Sequence, residues 1–129
     1  MDKTIIHSYK DLIVWQRSIE LVIALYELTE KFPKEEMFGI TSQMRRASIS
    51  IPSNIAEGRF TGTKEHFLRY IRIAYASGAE LETQIIIAKK LSKTKNLNYV
   101  AVDSLLEEVM KMLNSMIRNI NPKPNNLTS

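Results

Sequence analysis

Cysteine is absent from the 129-residue chain, which excludes a disulfide framework, a thiolate metal site and a cysteine nucleophile. Glycine and proline are scarce, with four of each, so the many turns of a β-rich fold are not expected. The longest apolar runs cover only a few residues, too short to span a membrane, and no basic segment precedes an apolar one at the N-terminus as in a signal peptide. The composition therefore predicts a soluble, cytoplasmic, all-α protein.

Apolar residues recur at helical spacing in four segments of the chain. These segments cover approximately residues 11–31, 40–58, 64–88 and 99–120. Thr63 is the expected N-cap of the third helix, and Gly58 is the expected end of the second. Heptad-like spacing and short connections predict an up-down-up-down four-helix bundle over residues 9–120. We expect a short N-terminal segment, 1–8, before the bundle and a disordered tail over 121–129.

Pro52 lies inside the second helical segment, where it removes one backbone donor and frees the carbonyl of Ser48. A kink is expected at this point. Asn54 is close enough in sequence to satisfy the freed backbone group, which is a structural role; ligand binding by Asn54 is the alternative.

Apolar side chains are too numerous for the core of a single bundle. The predicted core stripe of the first helix consists of Leu12, Trp15, Ile19, Val22, Tyr26 and Thr29. A second stripe on the same helix consists of Val14, Leu21, Leu25, Leu28 and Phe32. The surplus predicts self-association, because contiguous exposed apolar surface usually marks a protein interface. The alternative is that the bundle has broad core faces that bury most of these apolar side chains.

Positive charge is concentrated in one part of the chain. The net charge is +4, and the segment from Arg45 to Arg72 carries six basic residues against two acidic ones, which leaves the rest neutral. Such a block predicts a surface for a nucleic-acid backbone, although a solvated helix face gives the same pattern. The candidate nucleic-acid contacts are Arg45, Arg46, Arg59, Lys64, Arg69 and Arg72, with Lys89, Lys90 and Lys93 as an extension.

The adjacent arginines at the start of this block are expected to divide their roles. Arg45 and Arg46 point about 100° apart on a helix, so one can pair with a buried carboxylate such as Glu57 or Glu80. The other is then expected to stay free for phosphate.

Catalytic chemistry has little support in the sequence. The two histidines, without cysteine or a Glu-x-x-His motif, predict no metal site, and no glycine-rich phosphate loop indicates a cofactor. Arg59 and His66 resemble the short Arg-x(4–6)-His signature of HEPN ribonucleases, but Phe60 occupies a position that is usually polar there. We expect a non-enzymatic protein; the ribonuclease alternative predicts RNA cleavage that His66→Ala stops.

Three separated segments resemble one known family. Residues 9–16 (YKDLIVWQ), 43–58 (QMRRASISIPSNIAEG) and 67–84 (FLRYIRIAYASGAELETQ) are similar to the four-helix bundle proteins encoded within intervening sequences of bacterial 23S ribosomal RNA genes. The resemblance extends over roughly residues 9–120. At position 78 this chain has glycine, where serine is more frequent in the family. We interpret the difference as a tolerated variation in packing, because a small residue at this position lets a neighbouring helix approach.

The resemblance implies a left-handed four-helix bundle that assembles into a homopentameric ring. It also implies kinship with the accessory protein of diversity-generating retroelements, which binds nucleic acid and associates with a reverse transcriptase. A non-enzymatic ring that binds RNA or DNA is therefore the first hypothesis. The resemblance also implies that the chain is ribosomal protein-like in name. An adaptor for another protein, such as a reverse transcriptase, is the second.

Overall fold

A computed structural model of the protein describes residues 8–120, which form four α-helices and no strand. The helices are α1 (Ile13–Thr29), α2 (Ser42–Thr61), α3 (Lys64–Ala88) and α4 (Val100–Ile120). Both α1 and α3 pack against α2 and α4, which is the neighbour pattern of a four-helix bundle. The prediction of an all-α bundle is confirmed. The predicted disordered tail, 121–129, lies outside the described residues.

The four helices alternate in direction. Arg17 near the start of α1 pairs with Glu108 in α4, whereas Ala24 and Leu28 further along α1 share a cavity with Val102 near the start of α4. Gly62 and the residue after it suffice to connect α2 to α3, so the chain must reverse there. Arg45 near the start of α2 contacts Thr29 at the end of α1, so these two helices are antiparallel as well. The up-down-up-down order follows from these contacts, while the left-handed sense of the bundle stays a prediction.

The ends of α2 and α3 are set by local chemistry. Thr63 begins α3 as predicted, because its Oγ1 accepts the backbone N–H of His66 at 3.2 Å. The prediction that α2 ends at Gly58 is wrong, since the helix continues to Thr61. The residue that ends it is Gly62, whose φ of 83° is the left-handed conformation that glycine adopts most readily.

The core face of α1 is not the one that the sequence predicts. The buried residues of α1 are Val14, Ser18, Leu21, Leu25, Leu28 and Thr29. Apart from Thr29, the predicted stripe is only half-buried. The hydroxyls of Ser18 and Thr29 donate to the helix carbonyls of Trp15 (2.7 Å) and Leu25 (2.9 Å), so neither is left unsatisfied in the core.

Small residues bring α2 and α3 into close contact along a line that we call the α2–α3 seam, defined by Ser50, Gly58, Tyr70 and Ser77. A Cβ atom added at Gly58 would lie 2.6 Å from the Cβ of Tyr70. The hydroxyls of Ser50 and Ser77 lie 2.8 Å apart and form a hydrogen bond between the helices. Because the two helices approach so closely, their relative position depends on the small size of Ser50, Gly58 and Ser77.

Asn54 satisfies a different backbone group from the one predicted. Its Nδ2 donates to the Ser50 carbonyl at 2.8 Å and to Ser50 Oγ at 2.9 Å, and not to the carbonyl of Ser48 that Pro52 frees. The structural role is therefore correct in kind, although the partner is not. α2 continues through Pro52, and the predicted kink stays a prediction.

Two apolar surfaces remain exposed after the bundle has formed. The first, which we call the outer groove, runs between α1 and α2 and is lined by Tyr9, Trp15, Ile19, Val22, Ile49, Pro52, Ser53 and Ala56. The second, the outer ridge, is the face of α3 that carries Ala79, Thr83, Ile86 and Ile87, all of them exposed. None of the helices in the described range is apolar enough over sufficient length to cross a bilayer.

Candidate nucleic-acid interface

The basic block is divided in the structure between the two ends of the bundle. Arg46 and Arg59 both belong to α2, but thirteen residues of helix separate them by about 20 Å. Lys89, Lys90 and Lys93 follow the last turns of α3, about 27 Å along the axis from Arg72. The nine candidate residues therefore do not form one continuous patch within a single copy of the chain.

Arg45 is held against α1 and is only 18% exposed in its side chain. Its Nε donates to Thr29 Oγ1 at 2.9 Å, its guanidinium lies 4.4 Å from the centroid of the Tyr26 ring, and Glu30 is 3.8 Å away. The prediction that one of the two adjacent arginines stays free is therefore wrong. Arg45 connects α2 to α1 through a planar group with a directed N–H.

Arg45→Lys is expected to lower the free energy of unfolding by about 1–2 kcal/mol, because lysine keeps the charge but loses the N–H to Thr29 and the planar contact with Tyr26. Urea unfolding followed by circular dichroism measures the loss. RNA affinity should change less than about twofold, because lysine keeps the positive charge and the side chain at this position is largely covered by α1. A variant of full stability with weakened RNA binding would instead identify Arg45 as a contact for the ligand.

Arg46 pairs with Glu80 of α3, which confirms the predicted salt bridge between neighbouring helices. Its NH2 group also donates to Gln43 Oε1 at 2.9 Å, and Gln84 donates to the same Glu80 oxygen at 3.2 Å. The guanidinium is more than half exposed, so the pair lies at the surface beside the end of the α2–α3 seam.

Two of the three candidate lysines that follow α3 have partners within the bundle. Lys89 Nζ lies 2.6 Å from Asp103 Oδ2 and Lys93 Nζ lies 2.6 Å from Glu35 Oε2. The hydrogen bond between the last pair raises the pKa of the Lys93 ammonium and lowers the pKa of the Glu35 carboxyl from their ordinary values. These lysines therefore connect α3 and the loop after it to other parts of the same chain.

Lys64, Arg69 and Arg72 differ from these paired cations. All three are exposed on the first part of α3, and the described residues contain no ion pair or hydrogen bond to any of their side chains. The span from Lys64 to Arg72 is about 12 Å along the helix, which corresponds to three to four phosphates of one strand at about 3.4 Å of helix axis each. Lys90 is likewise exposed and without an ion pair in the described range, but it lies at the other end of α3.

A cavity of about 460 Å³ opens at this end of the bundle, between the turn that precedes α1 and the last turn of α2. Its lining residues are Ser8, Tyr9, Lys10, Arg59 and Phe60. Phe60 is 86% exposed. We call the region formed by Lys10, Arg59, Phe60, Lys64, Arg69 and Arg72 the cationic end of the bundle; the acids Asp11, Glu57 and Glu65 lie in the same segments.

The cationic end is only partly visible in the sequence. Arg59, Lys64, Arg69 and Arg72 are among the predicted contacts, whereas Lys10 and Tyr9 are not, since about fifty residues separate them from Phe60. No spacing within the chain could indicate that proximity. The one available signal was the predicted antiparallel bundle, in which the start of α1 and the end of α2 lie at the same end.

The structure offers no arrangement for metal chemistry within residues 8–120, where no group of three or more histidine, aspartate or glutamate side chains could hold an ion. His66 is exposed in the first turn of α3, and Arg59 is exposed in the last turn of α2.

Fold and surface together define a class of protein: a small antiparallel four-helix bundle in which three exposed cations on the first part of α3, Lys64, Arg69 and Arg72, have no ion pair in the described residues. The chain belongs to the family described as 23S rRNA-intervening sequence protein, whose model matches residues 10–115. The match begins before α1 and extends into α4, so it covers most of the bundle and confirms the resemblance of the three sequence segments. A search of the curated proteins finds no match.

Proposed function

We propose that this protein is a non-enzymatic, oligomeric nucleic-acid-binding protein of the cytoplasm, which binds RNA or DNA through the cationic end. The observation that carries the proposal is the group formed by Lys64, Arg69 and Arg72, exposed on one stretch of helix without ion pairs in the described residues. Cations that are already paired must break a contact to bind phosphate, whereas these three need not. Sequence-independent binding follows, because phosphate contacts carry no base information.

Self-association is the second part of the proposal. The outer groove between α1 and α2 is concave, whereas the outer ridge is a single helix face centred on Ala79, Ile86 and Ile87. Two different apolar surfaces on one chain favour a head-to-tail contact between copies, and such contacts close into a ring when the rotation permits. The family resemblance gives five as the number of subunits. Five copies would multiply the net charge of +4 and present several cationic ends to one polyanion.

An adaptor function is the second candidate, favoured by apolar surface at the opposite end of the bundle. Phe38 is 96% exposed between α1 and α2, and Val100 is 72% exposed at the start of α4. A protein partner such as a reverse transcriptase would bury these side chains, which a phosphate backbone does not require. A pull-down from host extract separates the two functions, because nuclease treatment releases a partner held through nucleic acid and leaves a partner held by direct contact.

The proposed function is tested by titrating labelled RNA and DNA with the full-length chain from low to physiological salt. The logarithm of the binding constant should fall linearly with the logarithm of salt concentration, because each phosphate contact releases counterions. Sedimentation of the same samples gives the subunit number, and gel analysis should recover the RNA uncleaved. Absence of binding at low salt, or an affinity that does not change with salt concentration, would contradict the proposal. A stable monomer would contradict only the proposed ring.

A further inference from the structure

Phe60 occupies an unusual position for a phenylalanine. It lies in the last turn of α2, and 86% of its surface is exposed to solvent, whereas the buried phenylalanine of the bundle, Phe32, is 6% exposed. Its neighbours in the chain are Arg59 and, after Thr61, the glycine that ends the helix. Exposure alone does not mark a binding site, since Phe38 at the other end of the bundle is 96% exposed, so the surroundings of Phe60 decide.

The cavity beside Phe60 combines aromatic and cationic side chains. Phe60 and Tyr9 line it together with Lys10, Arg59 and Ser8, and its volume of about 460 Å³ falls in the range of small-molecule sites. Aromatic faces stack on nucleobases, and cations flank the phosphates that join them. Neither kind of side chain alone indicates a nucleotide, but the two kinds around one opening do.

The part of the cavity wall contributed by the N-terminal turn is held in place by several hydrogen bonds. Ser8 Oγ accepts the N–H of Lys10 at 3.1 Å, while Asp11 accepts the N–H of Ser8 at 3.3 Å, so the two form a capping box. Gln16 of α1 donates to the carbonyl of Lys10 at 2.9 Å. The backbone of Lys10 is therefore held in place before any ligand binds, which reduces the entropy lost on binding.

The ring of Tyr9 is fixed in the same way. It meets Trp15 edge to face, with 5.4 Å between the ring centroids and an angle of 62° between the planes. This geometry is a favourable one for aromatic pairs. Tyr9 thus forms a fixed wall, and Phe60 is the exposed ring against which a base can stack.

We propose that this cavity is a stacking subsite for one unpaired nucleobase, so that the cationic end prefers single-stranded nucleic acid to a duplex. The inference rests on the proposed function and specifies its ligand. A base within a duplex has both faces covered by its neighbours, and reaching Phe60 would require it to leave the stack. A base of a single strand has a face available, while Lys10, which lines the same cavity, remains for the phosphate next to it.

Three probes test the subsite: a labelled oligoadenylate, an RNA duplex of equal length, and inorganic polyphosphate, which carries charge without bases. Each is titrated with the full-length protein and with Phe60→Ala. We expect Phe60→Ala to lose about tenfold in affinity for oligoadenylate, the effect of removing one stacked base. Its affinity for duplex and for polyphosphate should stay within twofold, and Phe60→Trp should bind oligoadenylate at least as well as the unaltered protein.

Phe38→Ala is the matched control, because Phe38 is equally exposed but lies at the opposite end of the bundle. It should leave all three affinities unchanged. Equal losses for Phe60→Ala and Phe38→Ala, equal losses for all three probes, or no loss for oligoadenylate would each overturn the subsite. If the unaltered protein binds none of the probes, both the proposed function and the subsite are contradicted. If it binds all three and Phe60→Ala changes none of the affinities, only the subsite is contradicted.

Discussion

Gly58→Ala is expected to destabilise the bundle by about 2 kcal/mol, although alanine is the better helix former by about 1 kcal/mol. The new methyl group would lie 2.6 Å from the Cβ of Tyr70 and 3.4 Å from the backbone oxygen of Phe67. Both atoms are fixed to the backbone of α3, so no rotation of a side chain relieves the clash. The α2–α3 seam must open, and the hydrogen bond between Ser50 and Ser77 lengthens with it.

Gly78→Ala is the control for this prediction. A methyl group there would meet Met110 Sδ even more closely than a methyl group at Gly58 would meet Tyr70. Methionine is flexible, so its sulfur can move away, and the gain in helix propensity offsets the repacking. We expect a change within about 1 kcal/mol. Urea unfolding at one protein concentration measures both variants, and equal stabilities for the two would mean that the backbone contact at Gly58 is unimportant.

Replacing Arg69 and Arg72 together by glutamate is expected to weaken RNA binding at low salt by about a hundredfold or more. Each arginine is exposed and has no ion pair in the described residues, so the loss of two phosphate contacts is joined by repulsion between the new carboxylates and the backbone. The salt dependence should also become shallower by about one unit of slope for each contact removed. Fluorescence anisotropy over a range of salt concentrations measures both effects.

Lys90→Glu combined with Lys95→Glu is the matched control, since it changes the net charge by the same amount at the opposite end of the bundle. Both lysines are exposed. Their replacement should weaken binding less than about threefold, through long-range electrostatics that salt screens. Equal losses for the two double variants would show that overall charge governs binding, and that the cationic end has no special role.

The helices and their order could be predicted from the sequence because both depend on local information. Periodicity located four helices, Thr63 identified the start of α3, and the short connection required an antiparallel pair. The core face of α1 could not be predicted in the same way. Ser18 interrupts the stripe that is in fact buried, and only the structure reveals that its hydroxyl is satisfied by Trp15.

The candidate site was harder to predict than the fold, because proximity in sequence differs from proximity in space. Arg45 and Arg59 belong to the same basic block, yet one is held against Tyr26 and the other lines the cavity with Phe60. Conversely, Lys10 and Phe60 lie far apart in sequence and face the same opening. Salt bridges such as that of Lys93 with Glu35 likewise depend on which loops meet at one end of the bundle.

The two-residue link between α2 and α3 has a consequence for how the chain reaches its native state. Bringing two helices together across so short a connection loses little loop entropy, so these two can associate before α1 and α4 join them. Substitutions at Gly58 or Ser77 should accordingly slow the folding rate, whereas those at the contact of α1 with α4, such as Arg17 with Glu108, should mainly accelerate unfolding. The central hairpin would then serve as the folding nucleus of the protein.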